Sequence, residues 1–339
     1  MRLAIIFVAL LTASATEAAP LYVSCEDSGE VAVVDTDAGT VVHTWPVGKR
    51  PRGLMLSPDG LRLWVALSGS PKGGPGVDES KLPPPDRASD GIGELDVRTG
   101  KRLRILPSGQ DPEAFDVSRD GRTLYVSNEE TAQASIVDAA SGRVRAAVAV
   151  GGEPEGVRIR PDGKFVYVTS EADNAVFVVD PARDKVVRRI ATPPRPRVVV
   201  FSRDGKRAYV SSENGAAVTI VNALTHVAVG HVAIPSTGVT GPLGARPMGL
   251  QLTPDGKTLY VANGRGGTVS VVDTAARRVV DTITAVGARP WGVALSPDGK
   301  TLYTANGSSN DVSVIDLVAR KVSRRIPTCS GPWGLALGR

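Results

Sequence analysis

Short runs of β-branched and aromatic residues, punctuated by Gly, Asn, Asp and Pro, follow one another along almost the whole chain. The clearest stretch reads Thr258-Leu-Tyr-Val-Ala-Asn263, Thr268-Val-Ser-Val-Val-Asp273, Arg278-Val-Val-Asp-Thr-Ile283 and Arg289-Pro-Trp-Gly-Val-Ala-Leu295. Runs of this length bounded by turn formers predict strands. No 3.6-residue periodicity competes with them, which excludes a helical solenoid. The order repeats: a turn of the form S/R/T-P/R-D-G places its aspartate at Asp59, Asp120, Asp162, Asp204, Asp255 and Asp298. The intervals of 61, 42, 42, 51 and 43 fit one unit of about 42 residues carrying two insertions, Gly69–Ala88 in the second copy and Ser236–Gly244 in the fifth. Four strands in a unit of that length predict one propeller blade. The first copy begins at Leu21-Tyr-Val-Ser24, already a second strand, and the last run, Pro332-Trp-Gly-Leu-Ala-Leu337, is an innermost strand without a successor. The chain is therefore expected to be all-β: a seven-bladed β-propeller of four-stranded antiparallel blades over residues 20–339. Its ring closes by N- and C-terminal strands that share one blade, which leaves no open edge between first and last.

The aspartates that end the run before each hairpin, Asp35, Asp96, Asp138, Asp180, Asp273 and Asp316, with Asn222 in the fifth copy, read as turn formers rather than catalytic groups. Ahead of the repeats, Met1-Arg2 precedes nine apolar residues, Leu3 to Leu11, and a small-residue stretch, Thr12–Ala19. That pattern predicts a secretory signal over residues 1–18, cleaved after Ala18 or, alternatively, Ala15. Nine apolar residues are too few to span a bilayer as a helix, and Cys25 lies too far on for a lipid anchor. A periplasmic or extracellular protein without a membrane anchor is expected. The net charge of +5 is mild for 339 residues, and the Lys and Arg are scattered, so anionic partners are permitted but not demanded.

An exported chain is oxidised, which gives meaning to its only two cysteines. Cys25 ends the second strand of the shared blade, where other copies carry Asn128, Asn263 or Asn306, and Cys329 precedes that blade's innermost strand. These strands are antiparallel neighbours, so both cysteines reach the same edge. A Cys25–Cys329 disulfide is expected, with two buried thiols as the alternative.

Candidate chemistry gathers where each innermost strand begins with x-Pro-x-Gly or a near variant. Around the ring, the residue after proline reads Arg52, Glu113, Glu155, Arg197, Met248, Trp291 and Trp333. The residue before it reads Arg50, Asp111, Glu153, Arg195, Arg246, Arg289 and Gly331. Both insertions fall on this face. One side of the central mouth is thus acidic and flanked by arginines, and the other is apolar and aromatic. Glu129, Glu171 and Glu213 extend the acidic sector, with Glu26 further round. Such a mouth suits a small amphipathic ligand or a partner's loop, or else is a self-neutralising charge network. The Asp111, Glu113, Glu153 and Glu155 carboxylates could hold a hard cation, but no Asp-x-Asp-x-Asp loop supports one, and no metal or cofactor is expected. His43, His226 and His231 follow no ligand spacing. No G-x-S-x-G, Cys-His pair or phosphate-cradling glycine loop is present, so no catalytic residue is assigned.

The strings Leu-Tyr-Val-x-Asn, Val-Ser-Val-Val-Asp-Thr and Arg-Pro-x-Gly-Val-x-Leu-Ser-Pro-Asp-Gly resemble the YVTN-type propeller repeat across residues 21 to 337. More narrowly, Asp-Pro-Glu at 111–113, Glu-Pro-Glu-Gly at 153–156, Asn306-Gly-x-Ser-Asn-Asp-Val-Ser-Val-Ile-Asp and the final Gly-Pro-Trp-Gly-Leu resemble the propeller proteins associated with pyrroloquinoline-quinone-dependent alcohol catabolism. The resemblance implies a non-catalytic binding or accessory protein beside a quinoprotein dehydrogenase, a cytochrome or a transporter component, and a monomer is expected. The alternative is a lactonase-like hydrolase or an oxidoreductase using mouth carboxylates as general acid and base. Single-stranded nucleic-acid binding is a third class, against which the mouth's glutamates argue.

Overall fold

A computed structural model describes residues 19–73, 77–239 and 244–338. The expected signal segment, residues 1–18, lies outside the described residues, as do positions 74–76 and 240–243 within the two insertions. Twenty-eight strands form seven four-stranded antiparallel sheets arranged as a ring of blades. Blade 1 joins Pro332–Leu337 to Leu21–Cys25, Glu30–Asp35 and Thr40–Pro46. Blades 2 to 7 follow in sequence, with innermost strands Pro51–Leu56, Pro112–Val117, Pro154–Ile159, Pro196–Phe201, Leu250–Leu252 and Pro290–Leu295. No helix among the described residues is long and apolar enough to cross a membrane.

The core lies between blades rather than inside any one. Second strands such as Leu21–Cys25 are buried along their whole length, whereas the outermost strand Thr40–Pro46 is largely exposed. A strand covered on both faces needs a continuous apolar run, which is what Leu-Trp-Val-Ala-Leu at 63–67 supplies. Tyr22, Val31 and Val33 of blade 1 pack on Leu63, Val65 and Leu67 of blade 2. Leu21 and Val23 pack on Tyr303, Val312 and Val314 of blade 7, closing the circle. Leu21 pairs with Leu337 and Val23 with Leu335 in the shared sheet, and a Cys25–Cys329 disulfide, Cα–Cα 5.8 Å, clasps its edge.

The repeated aspartates are turn formers. Asp35 Oδ1 accepts the amides of Asp37 and Ala38 at 2.9 and 2.8 Å, and Asp96, Asp138, Asp180, Asn222, Asp273 and Asp316 do the same in their hairpins. The glycine of x-Pro-x-Gly has a steric cause. A Cβ on Gly156 would lie 2.2 Å from the Arg197 carbonyl oxygen, and one on Gly249 would lie 2.1 Å from that of Trp291. Innermost strands of adjacent blades thus approach closely enough around the channel to exclude a side chain.

Candidate functional site

Two backbone devices fix the mouth. Arg50, Asp111, Glu153, Arg195 and Arg289 take left-handed φ values of 41, 53, 47, 62 and 60°, with Gly331 at 67° in the equivalent place. Such a conformation costs about 1 kcal/mol or more for a residue with a side chain. Here it turns a carbonyl toward the loop that follows the second strand. The Asp111, Glu153, Arg195 and Gly331 oxygens accept the amides of Glu129, Glu171, Glu213 and Glu26 at 3.0, 3.0, 2.8 and 2.8 Å. Four glutamates are thereby held at the rim. The second device is a hydroxyl two residues before each of them. Ser24, Ser127, Thr169 and Ser211 donate to the carbonyls of Arg52, Glu155, Arg197 and Met248, the after-proline residues of the next blade. Where blades 6 and 7 replace that glutamate by Gly264 and Gly307, the space goes to large neighbours. A Cβ on Gly264 would meet Met248 Cγ at 2.9 Å, and one on Gly307 would meet Trp291 Nε1 at 3.4 Å.

Two buried arginines organise the acidic sector. Arg52 reaches Glu26 at 3.3 Å and Asp111 at 3.4 Å, makes a close ion pair with Glu113 and lies 3.8 Å from Glu129. Arg197 reaches Glu155 at 2.6 Å and Glu213 at 3.8 Å, with a close ion pair to Glu171. Arg50 adds a bond to Glu26 at 2.9 Å, and Arg195 pairs with Glu171 and Glu213 at 2.5 and 3.4 Å. These pairings push neighbouring carboxyls apart. Burial alone would raise Glu26, but Arg52, Arg50 and Lys72 outweigh it and hold the group at about 2. Glu129 goes the other way: burial, then the Glu155 charge, push it up to about 7 against the pull of Arg52. Asp111, Glu113 and Glu129 offer oxygens within 4.8 Å of one another. The Arg52 guanidinium sits among them and supplies the positive charge that a cation would otherwise bring.

The opposite side is aromatic. Trp291 and Trp333 lie 5.6 Å apart, tilted by 46°, and the Arg289 and Arg197 guanidiniums face the Trp291 ring at 4.6 and 5.6 Å from its centroid. Beneath the ring, a channel cavity of ≈ 160 Å³ is lined by Leu54, Met55, Phe115, Val157, Val199 and Leu250, with Glu155, Arg197, Met248, Trp291 and Trp333 at its top. A larger depression of ≈ 270 Å³ between blades 3 and 4, lined by Tyr125, Asp138, Arg143, Arg145 and Pro181, lies away from the mouth and is open to solvent.

The structure thus brings together Arg50, Arg52, Asp111, Glu113, Glu155, Arg195, Arg197, Met248, Arg289, Trp291 and Trp333. It does not bring in Glu153, which is exposed and contributes only its carbonyl to the rim. Arg246 donates to Asn214 Oδ1, beside Glu213 at the rim. Its φ is not left-handed, because blade 6 begins late, at Leu250, after the second insertion. The first insertion reaches back over the rim: Arg50 donates to the Ser70 carbonyl at 2.7 Å, Lys72 pairs with Glu26 at 3.2 Å, and Arg87 pairs with Glu130. Sequence reasoning placed Glu129 in the neighbourhood but gave it no role. The signal was the contrast between S/T-x-Glu at the end of the second strand in blades 1, 3, 4 and 5 and Ala-x-Ser or Ala-x-Gly in blades 2, 6 and 7.

The family model described as a lactonase, 7-bladed beta-propeller, matches residues 188–324, from the outer strand of blade 4 to that of blade 7. Among solved structures, the periplasmic gluconolactonase of Pseudomonas aeruginosa is similar at 23% identity, covering 95% of this chain and 99% of that one, with a TM-score of 0.73. Hydrazine synthase of Kuenenia stuttgartiensis is similar at 24% identity, covering 84% and 88%, with a TM-score of 0.69. A protein from Lactobacillus plantarum is similar at 17% identity, covering 95% and 99%, with a TM-score of 0.76. No curated protein matches. The expectation of a non-catalytic binding or accessory protein is overturned by the lactonase match, which points instead to the alternative of a lactonase-like enzyme. Sequence motifs register nucleophiles and metal ligands, whereas attack of water on a lactone asks for no more than a positioned base, which has no spacing of its own. The structural likenesses establish the seven-bladed propeller fold.

Proposed function

We propose that the chain is a lactonase-like hydrolase whose active site is the channel mouth, with Glu129 as general acid and base. The observation that carries this reading is the Glu129 carboxyl, raised to about 7 by burial and Glu155 and only partly exposed, at 33% of its side chain. A carboxyl poised there exchanges protons near neutral pH. Glu129 takes a proton from water as the water oxygen bonds to the lactone carbonyl carbon. Negative charge collects on the carbonyl oxygen, where the mouth guanidiniums offset it. The ring C–O bond then breaks, and Glu129 returns the proton to the departing alkoxide, giving a hydroxy acid. Trp291 and Trp333 offer the ring an apolar flank.

The match of residues 188–324 to a lactonase propeller family supports the reaction class. Periplasmic location is part of the proposal. Its support is the Cys25–Cys329 disulfide, the leader-like N-terminus and the likeness to a periplasmic gluconolactonase. A quinoprotein dehydrogenase beside it is proposed on the repeat strings alone; its chemistry fits, since oxidising a cyclic hemiacetal yields a lactone.

The test is proton release from simple γ- and δ-lactones by purified protein. Turnover should appear, and Glu129→Gln should lower kcat by about 10²–10⁴-fold. Turnover that survives this substitution unchanged refutes the assignment.

A further inference from the structure

The arginines of the mouth are not equivalent. Arg50, Arg52, Arg195 and Arg197 each lie within ion-pair distance of at least one carboxylate. Among the described residues, Arg265 and Arg289 pair with none. Arg289 stands at the start of the blade 7 innermost strand, half-buried, with its guanidinium 4.6 Å from the Trp291 ring centroid. Arg265 lies in the tight turn Gly264–Gly266 of blade 6. That turn packs against the Pro290–Leu295 strand that Arg289 leads into, and burial first, then the Arg265 charge, hold the Arg289 guanidinium below its usual value. A half-buried cation beside a second cation, with no carboxylate in ion-pair contact and only the more distant charges of Glu213 and Glu26 to offset it, is a costly arrangement to maintain. It becomes favourable once an anion arrives.

We propose that Arg265 and Arg289 form a subsite for a carboxylate that the substrate carries in addition to its lactone carbonyl, with the substrate ring lying against Trp291. This rests on the hydrolase reading and adds the substrate class: lactones of sugar acids or similar compounds bearing a free carboxylate. A carboxylate is planar and singly charged, and it matches the guanidinium fork in a bidentate pair. A dianionic phosphate fits less well because Glu213, buried and paired with Arg195 and Arg197, already contributes negative charge felt at Arg289.

Binding and turnover are tested separately. Tryptophan fluorescence of the full chain, which contains Trp291 and Trp333, is titrated with D-glucuronate, D-glucose and glucose 6-phosphate. Glucuronate should bind at least tenfold more tightly than glucose. Arg289→Met should weaken glucuronate about tenfold, Arg289→Lys less, and Arg265→Gln several-fold. In turnover, the ratio of kcat/KM for a carboxylated over a neutral lactone should fall about tenfold in Arg289→Met. Equal binding of glucuronate and glucose, or no change in Arg289→Met and Arg265→Gln alike, overturns the subsite. Tighter binding of glucose 6-phosphate overturns its carboxylate character. Arginine-dependent glucuronate binding without any lactone turnover would retain the subsite and sink the hydrolase. Turnover indifferent to both arginines and to the substrate carboxylate would do the reverse.

Discussion

Replacing Cys25 and Cys329 together by serine removes the covalent clasp without leaving an odd thiol. The bond joins residues 304 apart in sequence. In the chain-entropy model a loop of that length removes about 19 cal/mol/K from the unfolded chain, or about 5.7 kcal/mol at 25 °C. Unfolding entropy near 2.1 cal/mol/K per residue gives about 0.65 kcal/mol/K for the roughly 310 described residues. The variant should therefore melt about 9 °C lower. Differential scanning calorimetry of wild type and variant measures this, and hydrogen exchange locates it. Amides of Leu21–Cys25 and Pro332–Leu337 should lose protection first, because their sheet is held from two ends of the chain, while Pro112–Val117 and Pro154–Ile159, whose blades are continuous in sequence, stay protected. Non-reducing peptide mapping must first show the bond in wild type. A fall below about 2 °C with the bond present would refute the argument that ring closure depends on the clasp.

Two further outcomes follow from the buried charges. The Glu129 carboxyl is raised in the folded state, to about 7 from 4.5, so the stability it contributes is present below pH 4.5 and is lost as pH rises through about 7. Urea titrations at pH 4.5 and 8 should accordingly show wild type losing ground to Glu129→Gln, and a constant difference between them would contradict the shift. Arg52→Met leaves Glu26, Asp111 and Glu113 buried without their shared cation and should destabilise by about 3–5 kcal/mol in chemical denaturation; a change under about 1 kcal/mol would mean that water already screens the cluster.

The architecture was legible because its determinants are local and repeated. An S/R/T-P/R-D-G turn and an Asx hairpin need only a few residues each, and seven copies in phase leave one ring topology. The disulfide was legible for a related reason: strand order alone brings Cys25 and Cys329 to one edge. The mouth was legible as a set of positions but not as chemistry. Glu153 and Glu155 are two residues apart in one motif, yet one is exposed and the other buried, while Asp111, with the same left-handed φ as Glu153, is buried against Arg52, so it is the neighbouring cation and not the motif position that decides. An enzyme stood only as the alternative to a binding protein for a different reason. Motif reading searches for nucleophiles and metal ligands, whereas a raised carboxyl is a property of its surroundings and has no spacing of its own.

The raised carboxyl proposed as the base owes its position to the charges around the ring. From blade 2 to blade 5 the after-proline residues run Arg52, Glu113, Glu155, Arg197, so a cation stands at each end of two carboxylates. Each arginine takes the nearer one: Arg52 pairs with Glu113 and Arg197 with Glu155. Asp111 is satisfied by Arg52 and by the Ser68 hydroxyl. Glu129 arrives as a further carboxylate when both guanidiniums are already engaged, and it approaches Arg52 no closer than 3.8 Å. Being the least compensated of the group, it is the one that burial and its neighbours keep protonated longest. A carboxyl raised toward neutrality therefore arises in the middle of the sector without a dedicated motif, because two adjacent copies of the repeat carry glutamate where those flanking them carry arginine.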